Sequence, residues 1–348
     1  MNSHFNPQNA MPFETPAVLS GPSVHRKGAE TVEVSTETYL ALRKPARIKR
    51  RLSIALSSQS YLPRLDDLQS DWLAHVAVPA FKVFAQQRGK TPVESFCSIG
   101  TGSGLDVLAA VEILGAKRVG LTDLHEEVVA TAADNVARNH LPSHPLVIEA
   151  GFGDLLAPLR PFKARYDLIY ENLPNVRAPS AEEVAVDRKS AAYLAPRKEP
   201  LPELITNQML DLHYLALWQA KEFLLPGGAV LSTLGARVPL EVFLSLGTLA
   251  GYVSSFLAYT WKVQADPEEM VRDHAQKQRE GFGPFYFYRA EILEKTFASV
   301  DIATSGSNAL EIERALVAER FDAIEAYEAL KRGVKIGHAV AVLKSELK

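Results

Sequence analysis

Two stretches of this chain place chemically useful residue types at a spacing that can work. Gly100, Gly102 and Gly104 alternate along Gly100-Thr101-Gly102-Ser103-Gly104, directly after an apolar run with Val93, Phe96 and Ile99 and before the helix-like segment 105–114. At a strand-to-helix turn, glycine reaches the backbone angles a sharp bend needs and lets a ligand approach the main chain closely. Segment 118–122 reads as a second strand, with Asp123 and Leu124 at its tip. A carboxylate there can accept hydrogen bonds from both hydroxyls of a ribose, the alternative being an N-cap for the helix that follows. Gly153-Asp154-Leu155 follows a third strand, where Asp154 either meets a ligand or caps its own turn.

The elements that must position these residues alternate. Strands are expected near 93–99, 118–122, 146–148, 166–170 and 229–231, with helices over 105–114, 126–138 and 207–223. This rhythm predicts an α/β fold with a largely parallel sheet and helices on both faces. Residues 1–35, rich in Asn, Pro, Ser and Gly, read as a mobile arm, and 36–90 as a helical cap whose apolar stripe includes Leu68, Trp72, Val76, Phe81 and Phe84. The sheet domain spans 91–265 and holds a proline-rich lid loop at 178–206; 266–348 is an extension that completes the sheet, with 285–288 and 338–343 both open as its last strand.

Spacing within the loop separates possible cofactors. A dinucleotide site requires glycine at the last position of G-x-G-x-x-G, and here that position is Leu105, which disfavours a nicotinamide-dependent oxidoreductase. The G-x-G-x-G form resembles motif I of class I S-adenosylmethionine-dependent methyltransferases. The stretch Tyr170-Glu171-Asn172-Leu173-Pro174-Asn175, at the end of strand 166–170, resembles their motif IV, N-P-P-Y, found in the branch that methylates amino and amide nitrogens. The resemblance covers about residues 91–260. It implies a Rossmann-like, seven-stranded fold with S-adenosylmethionine held by Gly100, Thr101, Gly102, Gly104, Asp123, Leu124, Asp154, Leu155 and Asn172. It further implies that the Asn172 side chain, the Leu173 carbonyl and Pro174 shape the seat of a nitrogen nucleophile.

Two departures matter. Ser98 stands where the family has a carboxylate for the ligand's amino group, and Asn175 replaces the aromatic residue that stacks on a planar substrate. Stacking of that kind is worth about 1–3 kcal/mol per base, so its absence argues against nucleic acid as substrate. The favoured function is N-methylation of a small-molecule or amino-group acceptor, with Tyr61, Tyr170, Glu171, Asn175 and Tyr193 as substrate-facing candidates. The alternative is a cyclase that closes S-adenosylmethionine on itself to azetidine-2-carboxylate, as some methyltransferase-fold proteins do; a non-catalytic binding module also stays open.

Composition bounds the remainder. A net charge of −3 gives no general attraction to nucleic acid, and the basic run 43–51 reads as a solvated helix face pairing with local acids. The single cysteine, Cys97, in an apolar run, reads as a buried filler. No metal is expected from the nine histidines. The absence of a leader-like or membrane-spanning run predicts a cytoplasmic protein, with a homodimer kept open.

Overall fold

Five apolar strands line up in parallel because each is followed by a helix that returns the chain to the same sheet edge. The fold is seen in a computed structural model, which describes residues 30–175, 199–263 and 267–348. Strands β3 (Ser95–Ile99), β4 (Arg118–Asp123), β5 (Val147–Phe152), β6 (Tyr166–Glu171) and β7 (Leu224–Ala236) form the parallel part, in the order β7-β6-β3-β4-β5. Strand β11 (Ile336–Leu347) pairs antiparallel with β7 and, along its other edge, with β8 (Tyr252–Val263). The expected seven-stranded sheet is therefore present. Among the described residues two short strands, β9 (Tyr286–Arg289) and β10 (Phe321–Asp322), enlarge it to nine, so both C-terminal candidates are strands, and only the longer one enters the body of the sheet.

The strand residues are buried on both faces, as a covered parallel sheet requires. One apolar cluster packs α2 (Val78–Arg88), α3 (Leu105–Ile113) and α4 (Glu126–Asn139) against Phe96, Tyr170, Leu231 and Val342. The opposite cluster packs α5 (Asp211–Phe223) and α6 (Leu240–Leu249) against Ile169, Val230 and Leu343. Cys97 sits wholly buried between neighbours, and burial pushes its thiol up, as expected of a filler.

Three expectations need correction. The 36–90 region is not purely helical. Strand β1 (Thr31–Ser35) lies inside the expected arm and pairs antiparallel with β2 (Arg51–Ala55); residues 1–29 lie outside the described residues. Two asparagines one helical turn apart hold this hairpin: Asn135 brackets Ala55 with hydrogen bonds of 2.9 and 2.8 Å, and Asn139 brackets Ser53 at 2.8 and 2.9 Å. The basic run 43–51 is not a helix face but a loop leading into β2. Its backbone N–H groups at Ala46, Arg47 and Ile48 donate to the Glu112 carboxylate, while Arg43 and Arg50 pair with Glu37. The expected helix 207–223 is broken at Met209, whose φ is +54°; only Asp211–Phe223 is continuous, after a short turn of helix at Glu203–Asn207. No described helix is long and apolar enough to cross a membrane.

Candidate functional site

The carboxyl ends of β3, β4, β5, β6 and β7 share one edge of the sheet, where ligands of open α/β folds collect. The glycine loop leaves β3 there. Gly100, Gly102 and Gly104 have φ of +69°, +54° and +78°, all left-handed. Their roles differ. A Cβ on Gly104 would lie 2.9 Å from the Ala132 carbonyl oxygen, so this glycine lets α3 and α4 pack closely. A Cβ on Gly102 would meet nothing within 4 Å, so this glycine faces open space. The Gly100 and Thr101 amides both donate to the Thr122 carbonyl, at 2.8 and 3.0 Å, which fixes the loop to β4. Asn135, the same residue that brackets β2, donates to the Ser103 carbonyl at 3.0 Å.

Asp123 ends β4 beside this loop. Its Oδ1 accepts from the His125 amide at 3.3 Å, and burial raises its pKa. The N-cap of α4 is His125, so the capping alternative for Asp123 does not hold. Leu124 is about half exposed. After β5, the Asp154 carboxylate accepts from Gln219 Nε2 at 3.0 Å, and Gln219 Oε1 accepts from the Leu156 amide at 3.0 Å, so α5 ties this loop down; Leu155, at φ +49°, is buried.

The carboxylate missing at position 98 is supplied from α3. The Ser98 hydroxyl donates to Asp106 Oδ2, Thr101 Oγ1 donates to Oδ1 at 3.3 Å, and the Val107 amide donates to Oδ1 at 2.8 Å. Burial pushes the Asp106 pKa up to about 6, against the pull of those hydrogen bonds. Sequence reasoning missed Asp106 because, two residues beyond Gly104 in the first turn of α3, its bond to Ser98 spans the loop and leaves no spacing signal.

Strand β6 delivers the Asn-Leu-Pro segment. Glu171 is fully buried, and both its carboxylate oxygens lie 2.9 Å from His213 Nδ1, while its Oε2 also accepts from the Leu173 amide at 3.2 Å. His213 Nε2 lies 3.4 Å from Asn175 Oδ1, and Asn175 Nδ2 donates to the Met209 carbonyl at 3.4 Å. Glu171 is thus a support, not a substrate-facing group. Tyr170 is not substrate-facing either: it is buried between Phe81 and Phe96, with its hydroxyl accepting from Thr233 Oγ1 at 3.3 Å. Asn172 is half-buried, and among the described residues its side-chain amide has no hydrogen-bond partner. Leu173 Cδ2 lies 3.3 Å from where a Cβ on Gly100 would stand, so the glycine loop and the Asn-Leu-Pro segment touch. Tyr61 is 41% exposed; Tyr193 and residues 176–198 of the expected lid lie outside the described residues. Among the described residues, no group of three His, Cys, Asp or Glu side chains could hold a metal ion.

No family model matches the chain. Among curated proteins it is 31% identical over 188 residues to the ribosomal protein L11 methyltransferase of Heliobacterium modesticaldum, covering 50% of this chain and 53% of that one. It is 29% identical over 127 residues to the release factor glutamine methyltransferase of Agrobacterium fabrum, covering 36% and 39%. The chain therefore spans about half the length, or less, of the curated relatives it matches. Among solved structures, the cyclopropane synthase MmaA2 from Mycobacterium tuberculosis is 12% identical, with 82% of this chain and 90% of that one covered at a TM-score of 0.38. Its strand order and its partial likeness to the two curated methyltransferases give the chain the Rossmann-like fold of class I methyltransferases.

Proposed function

We propose that this chain transfers the methyl group of S-adenosylmethionine to a neutral nitrogen of a small-molecule or amino-group acceptor. The observation that carries the reading is the contact between the glycine loop and the Asn-Leu-Pro segment, with the Asn172 amide open at that junction. The curated relatives are named for a ribosomal protein and for a release-factor glutamine; the acceptor of this chain is argued from its own site.

The residues present suit the ligand. Gly102 leaves room for its chain, Asp123 would hold the ribose hydroxyls, and Asp154 with Leu155 would border the adenine. Asp106, joined to Ser98 and Thr101, would take the ligand's ammonium group in place of the absent carboxylate at 98. When bound, the ligand supplies an electrophilic methyl on a sulfonium. Asn172 Oδ1 and the Leu173 carbonyl would accept hydrogen bonds from the acceptor N–H groups and aim the nitrogen lone pair at that carbon. The methyl would pass to that nitrogen as its bond to sulfur breaks with the electron pair staying on sulfur, and the methylated nitrogen would release its proton to solvent. The Glu171–His213 pair fixes the segment from beneath.

That assignment of the ammonium to Asp106 favours methyl transfer over cyclisation. An α-amine held as ammonium by Asp106 has no lone pair with which to attack the ligand's own chain. Mass spectrometry of the chain incubated with S-adenosylmethionine alone tests this: the ligand should survive, and S-adenosylhomocysteine should appear only on adding an amine acceptor. Asn172→Ala should slow that release about a hundredfold. Methylthioadenosine accumulating without an acceptor, and lost in Asn172→Ala, would replace methyl transfer by cyclisation.

A further inference from the structure

One buried pair holds both ends of the segment that carries the proposed nitrogen seat. Glu171, the last residue of β6, and His213, in the first turn of α5, are wholly buried. Both Glu171 oxygens lie 2.9 Å from His213 Nδ1, and Oε2 also accepts from the Leu173 amide at 3.2 Å. Across the ring, His213 Nε2 lies 3.4 Å from Asn175 Oδ1. Leu173, Pro174 and Asn175 are thus clamped from both ends, and the Asn172–Leu173 peptide is fixed at its N–H.

The chain of contacts continues past Asn175. Its Nδ2 donates to the Met209 carbonyl at 3.4 Å, in the turn that leads into α5. Met209 is buried with a φ of +54°, a left-handed angle that a residue with a side chain keeps only when its surroundings hold it there. The Asn175 side chain is therefore committed to joining the end of β6 to the start of α5, not to a substrate.

Donor and acceptor identities along this chain decide where a proton must be. A carbonyl oxygen only accepts, so the Met209 carbonyl requires the NH2 end of the Asn175 amide. Turning that amide over would set two oxygens against each other. Its own oxygen then faces His213 and also only accepts, so Nε2 must carry hydrogen. At Nδ1 two arrangements fit: an N–H donating to the Glu171 carboxylate, or a bare nitrogen accepting from a protonated Glu171. Either one holds a proton more than a carboxylate beside a neutral imidazole. Burial argues the same way. Among the described residues His213 is the ion-pair partner of Glu171, and without the extra proton a whole negative charge would be buried uncompensated.

We infer that Glu171 and His213 retain a shared proton, and that His213, donating through Nε2 to Asn175, is a positioning residue that locks the acceptor seat at Asn172 and Leu173 to the turn at Met209. The proton belongs to the pair and not to either residue. Because it is already in place, neither group is left to take up the proton of the methylated nitrogen, so the pair orients the seat and does not act as its base. The role of the seat rests on the methyl-transfer reading; the position of the proton does not.

Nuclear magnetic resonance of the full chain labelled with 15N at histidine, without ligand and at neutral pH, tests the proton directly. The His213 signals are identified by their loss in His213→Gln, or by the shift of the Nε2 signal in Asn175→Asp should His213→Gln fail to fold. The parent should show a hydrogen bonded to Nε2; a bare Nε2 overturns the inference. Hydrogen exchange tests the lock. A glutamine amide has one donating and one accepting end and cannot serve acceptors on both sides, so His213→Gln should raise exchange about tenfold or more at Leu173 and, together with it, at Met209 and Leu210, whose amides bond the Thr206 and Ile205 carbonyls. Asn175→Asp should raise it at the turn alone and leave Leu173 protected. A rise confined to Leu173 in His213→Gln, or an unchanged turn in Asn175→Asp, also overturns the inference. If S-adenosylhomocysteine fails to bind the parent in a parallel titration, the methyl-transfer reading falls, whereas the nitrogen signal and the exchange still report on the pair.

Discussion

The Ser98 hydroxyl donates to the Asp106 carboxylate, so the acid absent from the end of β3 returns to that place from the first turn of α3. This relationship ties the proposed ammonium seat to the protein's stability. The Asp106 pKa is pushed up from 3.8 to about 6 by burial, so the folded state prefers the protonated form. Its stabilising contribution is complete below about pH 4 and is lost as pH rises through about 6.

Asp106→Asn should therefore stabilise the ligand-free protein above pH 6, by up to about 3 kcal/mol, and leave it little changed at pH 4. The same change should weaken S-adenosylmethionine binding about tenfold, because a charged hydrogen-bond partner is gone. Urea unfolding at the two pH values checks the first effect, and titration checks the second. A variant equally stable at both pH values relative to the parent contradicts the first.

Gly102 and Gly104 should separate binding from folding. Gly104→Ala forces a Cβ against the Ala132 carbonyl and should lower stability markedly. Gly102→Ala adds only the strain of a left-handed angle, about 1–2 kcal/mol, but projects into the open space assigned to the ligand. Thermal unfolding and ligand titration of both variants should give opposite rankings.

His213→Ala should cost about 1–3 kcal/mol, because it leaves the buried Glu171 carboxylate without its histidine partner. Loss of that support should also free the Leu173 amide and disorder the Asn-Leu-Pro segment, slowing turnover more than it weakens S-adenosylhomocysteine binding. Comparison of turnover with binding affinity tests this ordering.

Much of this architecture was legible because it is local. The alternation of strand and helix, the three glycines and Asp123 at a strand tip are spacing signals, and the parallel sheet follows from them. What escaped depends on contacts distant in sequence. The β1–β2 hairpin is held by Asn135 and Asn139 some eighty residues away, so the short strands read as parts of an arm and a cap. The roles of Glu171 and Asn175 depend on His213, which the sequence marked only as one of nine histidines.

Asn135→Ala should test how the hairpin serves the loop, since this amide joins β2 and the Ser103 carbonyl. Removing it leaves buried backbone groups unpaired, which costs about 1–3 kcal/mol per group. Hydrogen exchange should rise at Ala55 and across the glycine loop together; a rise confined to the hairpin would show that the two are uncoupled.

Calorimetric titration of S-adenosylhomocysteine into the parent and into Asp123→Ala tests the central claim most directly. Asp123 stands at the tip of β4 beside the glycine loop, where removing a charged partner of the ribose should weaken binding about tenfold or more without changing the fold. The account predicts saturable one-site binding to the parent and that loss in the variant, with both proteins unfolding alike in urea. A parent that does not bind, or a folded Asp123→Ala that binds as tightly as the parent, would contradict it.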